Sequence, residues 1–122
     1  KGMGMRSLDD SQEGIRNFLN RNPNTCFVHE EDGNIIGCIL CGHDGRRAYI
    51  YHAAVAEKYR RKGVGSMLLK KVYESLEKEG INKAALVVFT SNTVGNSFWK
   101  TQGWEKREDL NYYNKVINPA NK

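Results

Sequence analysis

The chain has 122 residues, of which 39% are hydrophobic and 27% charged, and its formal net charge is +5. That size and balance suit one domain, residues 1–122, with a packed core, and they exclude a disordered chain. No apolar run approaches the ~20 residues of a membrane-spanning helix, and the first residues lack the apolar stretch of a secretory leader.

Ser7 to Asn20 predicts a helix, with Asp9 or Asp10 as its cap and Ile15, Phe18 and Leu19 as its apolar face. Cys26 to His29 reads as a strand. Glu31-Asp32-Gly33-Asn34 is hairpin-turn chemistry, and Ile35 to Cys41 is the return strand. His43, Asp44, Gly45, Arg46 and Arg47 form a second polar turn, read as a solvated hairpin tip, with a substrate or dimer contact as the other reading. Ala48 to Val55 follows as a strand. Simple alternation puts Tyr49, Tyr51 and Ala53 on one face and Ile50, His52 and Ala54 on the other.

After the stretch Arg60-Arg61-Lys62-Gly63-Val64-Gly65-Ser66 comes a helical stripe of Met67, Leu68, Val72 and Leu76, widened by Leu69 and Tyr73. Gly80 closes that helix. Lys83 to Phe89 predicts a buried strand, and Asn92 to Thr101 a short helix ended by Gly103. Trp104 to Arg107 and Asn111 to Ile117 predict a last pair of strands. This order implies one mixed, mostly antiparallel sheet flanked by helices, an α/β chain of the α+β type.

The cysteines are Cys26, Cys38 and Cys41. An odd count argues against a disulfide framework and for a reducing, cytoplasmic compartment. Cys38 and Cys41 are three apart on a strand and so face opposite ways, unable to chelate one metal. No four-ligand spacing is visible, and no metal is expected. The three thiols read as buried and inert.

The net positive charge suits a nucleic acid or a small polyanion. Glu57, Glu74, Glu77 and Glu79 are interleaved with the cations, and no basic stripe or stacking platform stands out, so nucleic acid is not expected as a partner. The glycine-bearing stretch is more informative. It joins a strand to a helix, whose N-terminus offers unpaired N–H groups and about half a positive charge. Glycines admit close approach, and the preceding cations strengthen anion binding, so the loop reads as a phosphate cradle. It is not a P-loop, which needs GxxxxGK[ST], nor a GxGxxG loop, since Leu68 stands where the third glycine belongs.

Arg60-x-x-Gly63-x-Gly65 resembles the Arg/Gln-x-x-Gly-x-Gly/Ala signature of the GNAT (Gcn5-related) N-acetyltransferases. "HAAVAEKYRRKGVGSMLLKKVYESLEKEG" is similar to that family's strand, loop and helix. "NKAALVVFTSNTVGNSFWKTQGW" is similar to the strand, asparagine-bearing turn and short helix that follow. The likeness is to small bacterial single-domain members, over Cys26 to about Ile117. It implies that acetyl-CoA lays its pyrophosphate on the backbone of Arg61, Lys62, Gly63, Val64, Gly65 and Ser66, after Arg60. Its pantetheine arm would run between two splayed strands and bond the main chain of Ala53 and Val55, with Asn92 steadying it. Asn92 also fits a plain N-cap.

The reaction implied is direct attack of an amine on the thioester, through a tetrahedral intermediate, with a small-molecule amine, a protein N-terminus or a lysine as acceptor. Tyr51 and His52 are the candidate bases, each also readable as a core residue. Trp99 stands where many relatives carry the tyrosine that protonates the leaving thiolate. An indole N–H donates a hydrogen bond but no proton, so Trp99 either packs beside coenzyme A or serves the core. An acyl-CoA-binding module with little turnover is therefore the alternative function. The family usually opens with a further strand and helix, where this chain has only Lys1 to Arg6. A sheet edge or groove wall would then be left exposed, for a second copy to cover as a homodimer.

Overall fold

The computed structural model describes residues 8–121. Lys1 to Arg6, on which the expectation of a missing strand and helix rests, lie outside the described residues. The chain divides into two compact units, one ending at Leu86 and one beginning at Val87.

In the first unit, a short 3-10 turn at Leu8–Asp10 leads into α1, Gln12–Arg21. The cap of α1 is Ser11, rather than the predicted Asp9 or Asp10. Its side chain accepts from the Gly14 N–H at 3.1 Å, while the two aspartates lie in the 3-10 turn. Strands β1 (Cys26–Glu31), β2 (Asn34–His43) and β3 (Ala48–Val55) form an antiparallel meander. Asp32 and Gly33, both at positive φ, make the two-residue turn between β1 and β2. Thr25 and Asn22, both buried, tie the end of α1 to β2. The Thr25 hydroxyl donates to the Cys41 carbonyl at 2.6 Å, and the Asn22 Oδ1 accepts from the His43 N–H at 3.0 Å.

Helix α2 spans Val64–Lys78 and buries Val64, Leu68, Leu69, Val72 and Leu76. Each such side chain contributes roughly 1.5–3 kcal/mol. The predicted stripe shifts accordingly: Met67 and Tyr73 are exposed, because the i, i+4 row from Val64 leaves them off the sheet-facing side. Gly80 takes the predicted closing position. With φ +75° it lets the Ile81 N–H reach the Leu76 carbonyl at 2.9 Å and its own N–H reach Glu77 at 3.1 Å, and Ile81 and Leu76 are both buried.

The predicted strand over Lys83 to Phe89 shrinks to β4, Ala84–Ala85. It lies parallel to β3 with the pairs Ala48–Ala84 and Tyr49–Ala85, and the ladder ends there. An apolar run signals burial or strand propensity, but pairing needs a partner in register. The sheet order is β1-β2-β3-β4, mixed and mostly antiparallel.

In the second unit, α3 spans Thr93–Thr101. The strands predicted at Trp104 to Arg107 and Asn111 to Ile117 do not form. Leu110, Tyr112, Tyr113, Val116 and Ile117 are exposed, and no ladder partner engages them among the described residues.

Candidate active site

The glycine-bearing loop follows β3. The Ala56 N–H donates to the Ile36 carbonyl at 2.7 Å, which turns the chain into a 3-10 turn at Glu57–Tyr59. Arg61 then adopts φ +65° and Gly63 φ +84°. A left-handed non-glycine residue costs roughly 1–2 kcal/mol, so the loop holds Arg61 against its local preference. Gly63 is the N-cap of α2 and has no side chain with which to cap it. Val64 and Gly65 open the helix, and its ladder begins where the Met67 N–H meets the Gly63 carbonyl at 3.0 Å. A helix terminus presented this way suits an oxyanion.

Two features of the cradle were not legible in the sequence. The Arg60 Nε donates to the Val55 carbonyl at 3.0 Å, stapling the loop to the end of β3. One lone pair of that carbonyl is therefore already engaged by the loop itself. The second is Gly37 on β2. A Cβ there would stand 2.9 Å from Val64 Cγ1 and 3.2 Å from Leu68 Cδ1, so only glycine lets the first turn of α2 lie this close to the sheet. A glycine inside an apolar strand was the available signal.

Strand β3 corrects the predicted faces. Leu40 pairs with His52 but Cys41 pairs with Ile50, so Tyr51 is the extra residue of a β-bulge. Directly opposed residues share a face. Ala53 opposite Ile39 and Val55 opposite Gly37 therefore share the α2 side with Ile50. His52, opposite Leu40, joins Tyr49 and Tyr51 instead of opposing them. Tyr49, Tyr51 and His52 all line a cleft of about 1040 Å³ between α1 and the sheet. Phe18 of α1 meets Tyr51 edge to face at 5.4 Å, and Tyr51 meets Tyr49 at 4.6 Å. Past Tyr49 the edge of β3 has no β4 ladder, and both candidate bases lie within that stretch.

The second unit carries the other two expected residues. Asn92 caps α3, its Oδ1 accepting from the Gly95 N–H at 2.8 Å. Trp99 is half-buried, with ring contacts at 5.0 Å to Phe98 and to Trp104. The Trp104 N–H donates to the Trp99 carbonyl at 3.0 Å and the Gly103 N–H to Lys100 at 3.0 Å, so the two indoles clasp the C-terminus of α3 as Leu76 and Ile81 clasp that of α2.

The hairpin tip is braced more firmly than a solvated turn. The His43 Nδ1 accepts from the Gly45 N–H at 3.0 Å, which leaves Nε2 to donate to Glu79 Oε1 at 2.6 Å. His43 and then Asn24 hold the Glu79 carboxyl below its ordinary range. Asp44 accepts from the N–H groups of Arg46 and Arg47, both at 2.8 Å. Burial raises all three thiols, and Cys41, beside Cys26 as well, is pushed up to about 11. At pH 8 roughly one Cys41 in a thousand is then a thiolate. A thiol reagent is expected to modify Cys41 in the native protein only as fast as the protein opens; labelling within minutes, followed by mass spectrometry, would overturn this. Among the described residues no group of three or more potential ligands is placed to hold a metal ion, and no helix is long and apolar enough to cross a membrane.

The family signature of acetyltransferases named GNAT matches residues 4–104. The chain belongs to the GNAT family. It is 27% identical over 106 residues to an acetyltransferase of Sodalis glossinidius, covering 87% of this chain and 75% of that one. It resembles the solved structure of Ard1 from Thermoplasma volcanium, with a TM-score of 0.71 and 28% identity over 76% of this chain and 64% of that one. It also resembles a GNAT acetyltransferase of Elizabethkingia anophelis with acetyl-CoA bound, with a TM-score of 0.64 and 26% identity over 80% of this chain and 63% of that one. The chain thus spans less than two thirds of either structure. The mixed sheet with flanking helices is the GNAT fold.

Proposed function

We propose that this GNAT protein moves an acetyl group from acetyl-CoA to an amine. The observation that carries the reading is the continuity of two features: the glycine-capped N-terminus of α2, and, one loop before it, the edge of β3 beyond the end of the β4 ladder. A polyanion and an extended amide-bearing arm fit that pair. The pyrophosphate would rest on the backbone of Arg61 to Ser66, with Arg60 fixing the loop. The arm would add to the edge near Ala53 and Val55 as an extra strand does. Acetyl-CoA bound to the Elizabethkingia relative supports this choice of co-substrate.

The acceptor enters, in this reading, through the cleft between α1 and β3. A small-molecule amine or a protein N-terminus or lysine side chain reaches Tyr51 and His52 there, and the neutral amine attacks the thioester carbonyl. His52 takes the amine's proton, directly or through water, since an imidazole suits a general base near neutrality far better than a phenol. A main-chain N–H near Val55 steadies the oxygen of the tetrahedral intermediate, which collapses as the C–S bond breaks and coenzyme A leaves as a thiolate. The test is thiol release from acetyl-CoA with a panel of polyamines, amino acids, aminoglycosides and peptides with free N-termini. Turnover with any of them supports the reading, and binding of acetyl-CoA without turnover favours the second one.

That second reading, an acyl-CoA-binding module, is favoured by Trp99. Its ring contacts with Phe98 and Trp104 give it a packing role, and an indole supplies no proton to a leaving thiolate. Trp99→Tyr is expected to release thiol faster than Trp99→Phe, most clearly at acid pH where the leaving group gains most from a proton. Equal pH–rate profiles for the two variants would exclude position 99 as an acid site.

A further inference from the structure

The loop carries more cation than a pyrophosphate needs. Lys58, Arg60, Arg61 and Lys62 fall within five residues, and all four are exposed. Arg60 is committed to the Val55 carbonyl. Arg61 lies in the left-handed turn that leads into the N-terminus of α2. Lys58 and Lys62 are disposed differently: their ammonium groups stand over one ring, that of Tyr59, at 5.7 and 5.9 Å from its centre. No carboxylate pairs with either lysine among the described residues. The ring attracts both ammoniums but neutralises neither. It also limits the rotamers of two long side chains, so part of the ordering cost of gripping an anion is met before the anion arrives.

We propose that Lys58 and Lys62, held over Tyr59, grip a second phosphate dianion on the same ligand: the 3′-phosphate on the ribose of coenzyme A. This rests on the proposed seat of acetyl-CoA at the α2 N-terminus. There the backbone and the helix terminus serve the pyrophosphate, which leaves the lysine pair for another dianion one nucleoside away. The pair then selects coenzyme A esters over those of dephospho-coenzyme A, which lack this phosphate and are otherwise identical.

The experiment is calorimetric titration of the full chain with coenzyme A and with dephospho-coenzyme A, for the parent, Lys58→Ala with Lys62→Ala, and Tyr59→Leu. The parent is expected to bind coenzyme A about 10-fold tighter, the size expected of two exposed charge pairs. The double variant should bind both ligands equally. Tyr59→Leu should keep only part of the preference, and the parent's preference should shrink as salt is raised. A parent that binds both ligands alike, or a double variant that keeps the whole ratio, overturns the assignment while leaving the pyrophosphate seat standing. A parent that binds neither ligand overturns the proposed function and this assignment together.

Discussion

With Gly65 replaced by valine, acetyl-CoA is expected to leave the melting temperature unmoved, while the parent gains several degrees. At a hundred times its dissociation constant a ligand stabilises the native state by about 2.7 kcal/mol, and in a domain of this size each kcal/mol shifts the melting point by roughly 4 °C or more. Gly65 is the better position for the test. It lies in the first turn of α2, where valine is no worse a helix former than glycine, and its backbone is not at positive φ. The branched side chain would stand where the pyrophosphate must approach. Valine at Gly63 would block the ligand too, but it would also strain the left-handed cap and so confuse binding with stability. The measurement is a thermal melt of both proteins with and without acetyl-CoA. Equal stabilisation of the two would remove the anion from the N-terminus of α2.

His52→Gln is expected to lower kcat by about 100-fold or more, the usual contribution of a positioned base. Glutamine keeps the side chain's reach and polarity but accepts no proton, so KM for acetyl-CoA should change little. Tyr51→Phe should act differently. Its ring contacts with Phe18 and Tyr49 survive the loss of the hydroxyl, so the cleft keeps its wall, and any effect should appear in the acceptor's KM. Both variants are read from initial rates of thiol release across pH with one accepted amine. A His52→Gln protein with the parent's kcat and profile would leave the proton to another carrier.

Where turn chemistry brackets an element, the sequence was a sufficient guide. β3 runs from Ala48 to Val55 as predicted, because a polar turn precedes it and the cationic loop follows. Gly80 and Gly103 mark helix ends through backbone freedom that no other residue shares as readily. Where an outcome depends on a partner, the sequence was silent. Ser11, Asp9 and Asp10 are all competent caps, and only the path of the preceding 3-10 turn selects Ser11. The apolar runs after Ala85 and after Asn111 have strand composition, but composition does not supply the neighbouring strand. The loop's role could be read from its glycines and cations. Its seating could not, since Gly37 meets α2 from far along the chain and the Arg60–Val55 link depends on the path the loop takes. The bulge leaves no mark in a string of letters, because Tyr51 is as suitable for a regular strand as for an irregular one.

The single extra residue at Tyr51 has an evolutionary consequence. A strict pleat would bind the two ends of β3 together: what serves the core near Ile50 would dictate what is offered near His52. One inserted residue breaks that phase lock. The alternation before it and the alternation after it are set separately: Tyr49 lines the cleft on one side of the bulge and His52 on the other, while Ile50 and Ala53 both keep the α2 side. A lineage that slid the bulge by one position would change which side chain of β3 turns toward the cleft and leave the loop after β3 unaltered. A new lining for the cleft would then be reached by shifting register as well as by altering residues.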